Sequence, residues 1–392
     1  MNRRAITAAA LTAGLIVQTQ GFTAAPISTG TNASTVSHAT TTSEPEEAAR
    51  KTWRAVIKNA PAPGEGCFHV SYPNVAWEST DCKVAQPRMH HAPRRPTNGA
   101  PAAVGNGNDY IAQSQGLINT AIGSFSISGV TSETNVRENF FGAGGILGPN
   151  EYSLQINTNN NGQTNACNGH PACHVWQQFM YATDYNEKGE GALFIQYWLL
   201  AWNATCPSSW TTSPNDNGDT DCFKNSKYAA MPDLPVTDLG NVVLVGTAFA
   251  GTGDCIAFEY GNPLSEIWQF CTPFSFLEIY SVWNQAEFNV VGDMDSSQAQ
   301  FNQGSEITVI LGIDGINNGS LSAPACVGQI ATTGETNNLN LGTCSTGVAP
   351  QLLWGCNKKD ACGGFIEFTE SLPLYRALPP INPGPCLGCI AE

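Results

Sequence analysis

From residue 108 onward, apolar and polar residues alternate with a period of two over short stretches, and clusters of Gly, Asn and Asp interrupt them. Alternation of that kind places one set of side chains on a buried face and the other on the opposite face of a pleated strand, and the clusters supply turns. Strands are predicted over residues 124–130, 152–157, 174–182, 192–202, 241–250, 255–260, 266–271, 276–283, 286–292, 306–313 and 364–369. So many short strands suit an all-β fold of two packed antiparallel sheets, a β-sandwich of the jelly-roll, concanavalin-like kind. No repeat of propeller or solenoid period interrupts the pattern. Ahead of it, residues 46–59 follow a helical period carrying Trp53, Val56 and Ile57. Residues 27–43 are rich in Ser and Thr and read as unstructured. The Pro-, Gly- and Asn-rich stretch 87–107 reads as a linker that includes Arg94-Arg95.

The first residues change the picture from a generic sandwich to an exported one. Arg3 and Arg4 precede an uncharged, small and apolar run from Ala5 to Val17, and Phe22-Thr23-Ala24 supplies small residues for cleavage. That is the layout of a secretory signal peptide, and no stretch is long and apolar enough to span a bilayer as a helix. The expected organisation is a signal peptide over 1–24, a small basic N-terminal pro-region and linker over 25–104, and a disulfide-rich β-sandwich over 105–392. The 14 cysteines fall into sequence-local couples: Cys67/Cys82, Cys167/Cys173, Cys206/Cys222, Cys255/Cys271, Cys326/Cys344, Cys356/Cys362 and Cys386/Cys389. In an exported chain these read as short-range disulfides that lock hairpins and loops.

Charge is unevenly distributed. Ten of the 17 Lys and Arg residues, but only six of the 32 Asp and Glu residues, lie in residues 1–95, which leaves that part at +4 and the rest at −19. A cationic leader ahead of a polyanionic body is what a pro-segment of an acid-active secreted enzyme needs: it relieves carboxylate repulsion at neutral pH and loosens when the carboxylates are protonated. The acidic body argues against nucleic acid as a partner, because phosphate binding needs clustered Lys and Arg.

For chemistry, the chain has no GxSxG, no HExxH, no P-loop and no GxGxxG after a strand, and every histidine lies at or before His174. Cys167, His170, Cys173 and His174 have a spacing superficially like a metal cluster, but a disulfide-closed loop is the reading in an exported chain, so neither metal nor cofactor is expected. Glu287 lies between Ala286 and Phe288, sharing its face of a strand with Gln285 and Asn289. A partly buried carboxyl can take a proton from water and return one to a leaving amine, and a Gln amide can orient that water and donate N–H to a developing oxyanion. Gln196, in an apolar aromatic strand, is the candidate amide. Gln178 is the candidate for a supporting role, and Trp176 and Trp198 are candidate cleft residues.

The order of these stretches resembles the glutamic peptidases. His174-Val175-Trp176-Gln177-Gln178-Phe179, a turn, then Ala192-Leu193-Phe194-Ile195-Gln196-Tyr197-Trp198 is similar to their Trp-bearing strand followed by a strand presenting the catalytic Gln. Gln285-Ala286-Glu287-Phe288 is similar to the stretch carrying their catalytic Glu. The likeness spans roughly residues 170–313. It departs where Gln177 follows Trp176 and where bulky Tyr197-Trp198 follows Gln196. The neprosin-type glutamic peptidases, which use two Glu residues, are a second family it resembles. The resemblance implies a secreted, acid-acting endopeptidase with a polypeptide substrate and a Gln196/Glu287 dyad; the charge layout adds its own pro-region as an inhibitor, the alternative being a basic N-terminal arm with no inhibitory role. Two other classes fit a sandwich rich in Trp and Tyr: a glycoside hydrolase using Glu266 and Glu287 as facing carboxylates, and a non-catalytic lectin-like module. Asn32, Asn203 and Asn318 head glycosylation sequons that a eukaryotic host would use.

Overall fold

The period-two alternation folds into antiparallel strands stacked as two large sheets in the computed structural model, which describes residues 44–60, 62, 64–90, 109–137, 145–214, 218–315, 322–328, 333–348 and 363–374. The signal-type run, the Ser/Thr-rich stretch, Arg94-Arg95, Asn32, Asn318 and the couples Cys356/Cys362 and Cys386/Cys389 lie outside the described residues.

With strands numbered in chain order, the back sheet runs β2 (Glu78–Thr80), β1 (Gly66–Ser71), β16 (Leu264–Cys271), β15 (Cys255–Gly261), β14 (Val242–Thr247), β5 (Ile118–Ser128), β19 (Glu306–Gly315), β23 (Gly364–Ser371), β22 (Asn340–Val348). The front sheet runs β11 (Thr211–Pro214), β12 (Thr220–Asn225), β10 (Glu190–Leu200), β9 (His174–Ala182), β8 (Tyr152–Thr158), β17 (Gln285–Gly292), β4 (Tyr110–Gln113), β20 (Ala325–Gly328). Beside it, β13 (Lys227–Pro232) pairs with β10 and with β3 (Cys82–Val84). A small third sheet joins β21 (Thr336–Asn337), β18 (Ser297–Phe301), β6 (Glu133–Arg137) and β7 (Gly148–Pro149).

The inner faces of the two large sheets interdigitate through aromatic rings. Phe125 of the back sheet stacks on Phe288 of the front sheet with centroids 4.6 Å apart, and Phe258 meets Tyr181 at 4.8 Å. Each ring removed from water contributes about 2–3 kcal/mol. The rings lie directly on backbone: a Cβ at Gly123 would fall 2.3 Å from the Phe288 ring, and one at Gly246 would fall 2.6 Å from Phe179. Both positions therefore exclude any side chain. Five of the predicted couples are disulfides, Cys67–Cys82, Cys167–Cys173, Cys206–Cys222, Cys255–Cys271 and Cys326–Cys344, and they suit folding in an oxidising environment. Cys167–Cys173 closes the loop once compared with a metal cluster; His170 stacks on Trp202 at 3.3 Å, and its Nδ1 lies 2.9 Å from the Trp202 carbonyl oxygen. No helix among the described residues is long and apolar enough to cross a membrane.

The segment ahead of residue 91 is built into the sandwich. Helix α1 (Glu44–Asn59) starts with Glu44, Glu46 and Glu47 in its first turn, where the helix dipole favours acidic side chains. Its Trp53 and Ile57, four residues apart, pack on Val70 and Ile267, while Val56 projects outward, 44% exposed. Arg54 reaches Glu259 on β15 at 2.6 Å. β1 then pairs with β16 through six residues, and β3 pairs with β13, so residues 66–84 add strands to both large sheets.

One predicted strand is absent. Residues 276–283 carry apolar residues at strand-like spacing but form a loop around a short 3-10 turn, Ile279–Ser281. Glu278 adopts a left-handed conformation, φ 51°, which ends any extended run, and Leu277, Ile279 and Trp283 are fully buried in the main core. Apolar spacing here reports plugging of the core rather than pairing.

Candidate active site

The outer face of the front sheet, turned away from the back sheet, carries the polar residues singled out above. Along β17 the residues Ala286, Phe288 and Val290 enter the inter-sheet core, so Glu287 and Asn289 face outward. Strand register aligns one row across five strands: Asn225 of β12, Gln196 of β10, Gln178 of β9, Asn157 of β8 and Glu287 of β17. The adjacent rows hold Trp198 beside Trp176, and Met180 beside Gln155 beside Asn289. Gln196, Gln178, Gln155, Asn157 and Glu287 are all buried. Buried polar groups need partners, and most of these bonds run among the row, its neighbouring rows and the backbone that crosses it.

Register brings together some of the expected residues and separates others. Gln178 sits two strand spacings from Glu287, roughly 10 Å between backbones, and Gln196 sits three away, roughly 14 Å, at about 4.8 Å per strand. At three spacings the Gln196 and Glu287 side chains communicate through a relay, not as the adjacent dyad the resemblance implies. Trp198 Nε1 donates to Gln196 Oε1 at 2.9 Å and to Gln178 Oε1 at 3.2 Å. Gln178 Nε2 donates to Gln155 Oε1 at 3.1 Å, and Asn157 Nδ2 donates both to that oxygen, 3.3 Å, and to Glu287 Oε2, 3.2 Å. Trp176 lies against Trp198, centroids 5.8 Å apart.

Beyond Glu287 the row ends in a carboxyl cluster that sequence reasoning missed. Asp109, immediately before β4, shares a hydrogen bond with Glu287 and accepts another from Asn289 Nδ2. Asn289 Nδ2 also donates to Glu370 Oε1 at 2.8 Å, and Asn337 Nδ2 donates to Glu370 Oε2 at 2.9 Å. Burial raises the Asp109 carboxyl from 3.8 to about 7, against the opposing pull of its bonds to Asn289 and Glu287. Burial, and then the neighbouring charge of Asp109, push Glu370 well above the usual carboxylate range. Two hydrogen-bonded carboxyls in such a place hold a proton between them, which gives one base and one acid side by side. The only signal in the sequence was the run of polar residues at period two in β8, Ser153, Gln155 and Asn157, and in β17. Asp109 and Glu370 belong to distant strands and gave none.

The face is crossed by the chain itself. Residues 85–90 leave β3 and lie as a strap over β10 and β9, and side-chain amides bind its backbone. Asn186 Oδ1 accepts from Gln86 N at 3.2 Å, and Asn225 Nδ2 donates to the Gln86 and Arg88 carbonyls at 2.7 and 2.8 Å. Gln196 makes two such bonds: Nε2 donates to the Arg88 carbonyl at 2.9 Å, and Oε1 accepts from His90 N at 2.9 Å. From the opposite side, Asp295 N donates to the Met89 carbonyl at 3.2 Å. The chain leaves this face at His90 and meets it again at Asp109, beside Glu287.

Carboxyls elsewhere share the upward shift. Glu133 is raised to about 9 by burial and then by Glu151, and Glu151 to about 8 by burial and then by Asp184. Asp254 is raised to about 7 by burial, and Asp293 well above the usual range by burial and then by Glu151. A carboxyl raised in the folded state contributes stability that is complete below its unfolded pKa and is lost as pH rises through its folded value, so all of these favour the fold in acid.

Glu266 belongs to a different neighbourhood. On β16 it shares the face of Trp268, which lies in the inter-sheet core, and its Oε2 is 2.6 Å from His69 Nε2. The front sheet stands between it and the outward face of Glu287, so the two carboxyls do not oppose each other across a sugar site. Among the described residues no group of three His, Cys, Asp or Glu is spaced to hold a metal ion. No protein-family model and no curated protein matches the chain.

Proposed function

We propose that the chain is a secreted, acid-acting endopeptidase of the glutamic type whose N-terminal segment blocks its own substrate groove. The observation that carries the reading is the strap: a peptide backbone bound by the amides of Asn186, Asn225 and Gln196, on the face that holds the buried Glu287–Asp109 pair. Amide side chains arranged along a backbone bind polypeptide without regard to most of its side chains, as an endopeptidase requires.

In the reaction, one carboxylate of the pair takes a proton from water as the oxygen attacks the scissile carbonyl. The other, protonated, gives its proton to the departing amine, so the pair ends with the same number of protons and the bond has gained one water. Asp109, whose ionised form the hydrogen bonds from Glu287 and Asn289 favour, has the role of base, and Glu287, held by Asn157, that of acid. Gln178, nearer to Glu287 than Gln196 is, supplies the N–H for the oxyanion, and Gln196 holds the peptide backbone. An Asp109 carboxyl raised to about 7 by burial suits acid operation.

The test is to express the chain from residue 25, shift it from about pH 7 to about pH 3.5 and follow its mass and its digestion of a denatured protein. Glu287→Gln and Asp109→Asn are run in parallel. Wild type should lose its leader and digest the substrate, and each variant should be slower by roughly 10²-fold or more, the usual worth of a general acid or base. A folded wild-type chain that stays intact and inert at every acid pH removes the proposal.

A further inference from the structure

Two side chains of the strap fill two pockets of different chemistry. Met89 packs against Trp176, Trp198, Leu200 and Phe223, with Ser213 Oγ 3.5 Å from its sulfur. The next residue, His90, is fully buried between Tyr185 and Phe194, ring centroids 6.5 and 6.3 Å away. Its Nδ1 meets Gln155 Nε2 at 3.2 Å and lies 3.9 Å from Glu335 Oε1, and its Nε2 points at Asp293 Oδ1, 3.6 Å away.

The hydrogen-bond network determines what the second pocket accepts. Gln155 Oε1 is occupied by donors from Gln178 and Asn157, and one N–H of its amide goes to Ser153 Oγ at 2.9 Å, so the second N–H faces the strap and seeks an acceptor there. Asp293 is fully buried, its proton favoured by burial, and neither of its carboxyl oxygens has a hydrogen-bond partner, so the opposite wall has an acceptor oxygen open to an N–H. A neutral imidazole offers an acceptor nitrogen on one edge and an N–H on the other. An ammonium or guanidinium brings only donors and would set N–H against N–H at Gln155; a carboxylate would bring no N–H to the Asp293 oxygens.

We propose that this groove is a sequence-reading site for polypeptides in which a flexible, bulky apolar residue is followed directly by histidine. The apolar side chain enters the Trp176–Trp198–Phe223 pocket, and the imidazole bridges Gln155 and Asp293. The proposal rests on the peptidase reading in one respect: it takes the seat of the strap to be the seat of a substrate. Recognition of the pair is a binding property and stands or falls by a binding measurement.

The experiment uses the chain from residue 25 with Glu287→Gln and with residues 85–90 replaced by an alternating Gly-Ser run, which empties both pockets, weakens the strap's hold so that a free peptide can reach the groove, and prevents turnover. Fluorescent peptides of sequence Val-Ala-Gln-Pro-Arg-Met-His are titrated at about pH 7 and followed by anisotropy, beside versions carrying Leu or Ser for Met and Lys or Glu for His. Met-His and Leu-His should bind alike, and the Ser, Lys and Glu versions should each bind roughly tenfold or more weakly, because a buried polar group is left unmatched or an apolar pocket unfilled. Equal binding of the Lys and His peptides overturns the proposal. Where that variant does not unfold cooperatively, His90→Ala, His90→Lys and Met89→Ala are read singly by hydrogen exchange of the strap amides, which each should accelerate roughly tenfold or more, and unchanged rates overturn the proposal. Discrimination without any acid cleavage by the wild type would sink the peptidase reading and keep the site. Cleavage with no discrimination would do the reverse.

Discussion

The acid preference of the fold can be tested at a carboxyl away from the candidate active site. Asp254 is fully buried beside Cys255, where Ser275 Oγ donates to its Oδ2 at 3.2 Å. Burial raises it from 3.8 to about 7. At 1.36 kcal/mol per pH unit, ionising it in the folded chain costs about 4 kcal/mol more than in the unfolded chain. That cost is absent below about pH 3.8, grows between 3.8 and about 7, and is complete above. Asp254→Asn has nearly the same shape and no charge to acquire. Its own packing penalty is the same at every pH, so a double difference isolates the ionisation: the variant's stability relative to wild type should improve by about 4 kcal/mol between about pH 3 and about pH 9. Urea unfolding under oxidising conditions at the two pH values measures it. A double difference within about 1 kcal/mol of zero would mean that the folded chain solvates Asp254, and the argument from burial would fail.

Other expectations follow from the same geometry. Gly123→Ala drives a methyl into the Phe288 ring and should destabilise by about 2–3 kcal/mol or more, read by thermal unfolding; Gly123→Ser should do no better. Arg54→Ala removes a cation 2.6 Å from Glu259, whose side chain is 0% exposed, and should cost about 3 kcal/mol at neutral pH by urea unfolding. Replacing Cys67 and Cys82 by Ser opens a loop of 15 residues and should cost about 3 kcal/mol in the loop-entropy account, and hydrogen exchange at the strap amides should accelerate with it.

What the chain reveals without its structure depends on how local the signal is. Period two identified β9 with its limits and located β8, β10, β15 and β17 to within a few residues, because alternation is a property of one strand. It also identified Glu287 and Asn289 as sharing a face. It could not say which strands are neighbours, so the distance from Gln196 to Glu287 was beyond its reach: the two strands β9 and β8 lie between, and only register shows it. Asp109 and Glu370 were invisible for the same reason, since each meets Glu287 or Asn289 from a remote part of the chain. The strands of the third sheet are only two to five residues long and too polar to stand out, as with Ser-Gln-Ala-Gln-Phe in β18. Residues 276–283 misled in the other direction, because a loop that buries Leu277, Ile279 and Trp283 has the composition of a strand.

The N-terminal segment has only two cysteines, and Cys67 and Cys82 are joined to each other. Nothing covalent therefore fastens that segment to the rest except the main chain that runs through residues 91–108. While that connection is intact, the strap faces its groove at an effective concentration of the order of millimolar, whatever the protein concentration. One backbone cut there would turn a folded loop into a separate subunit, held by α1, by the six paired residues of β1 and by the strap itself. Its occupancy would then obey mass action. At high protein concentration the cut molecule would remain capped, and on dilution it would open without any further chemical event.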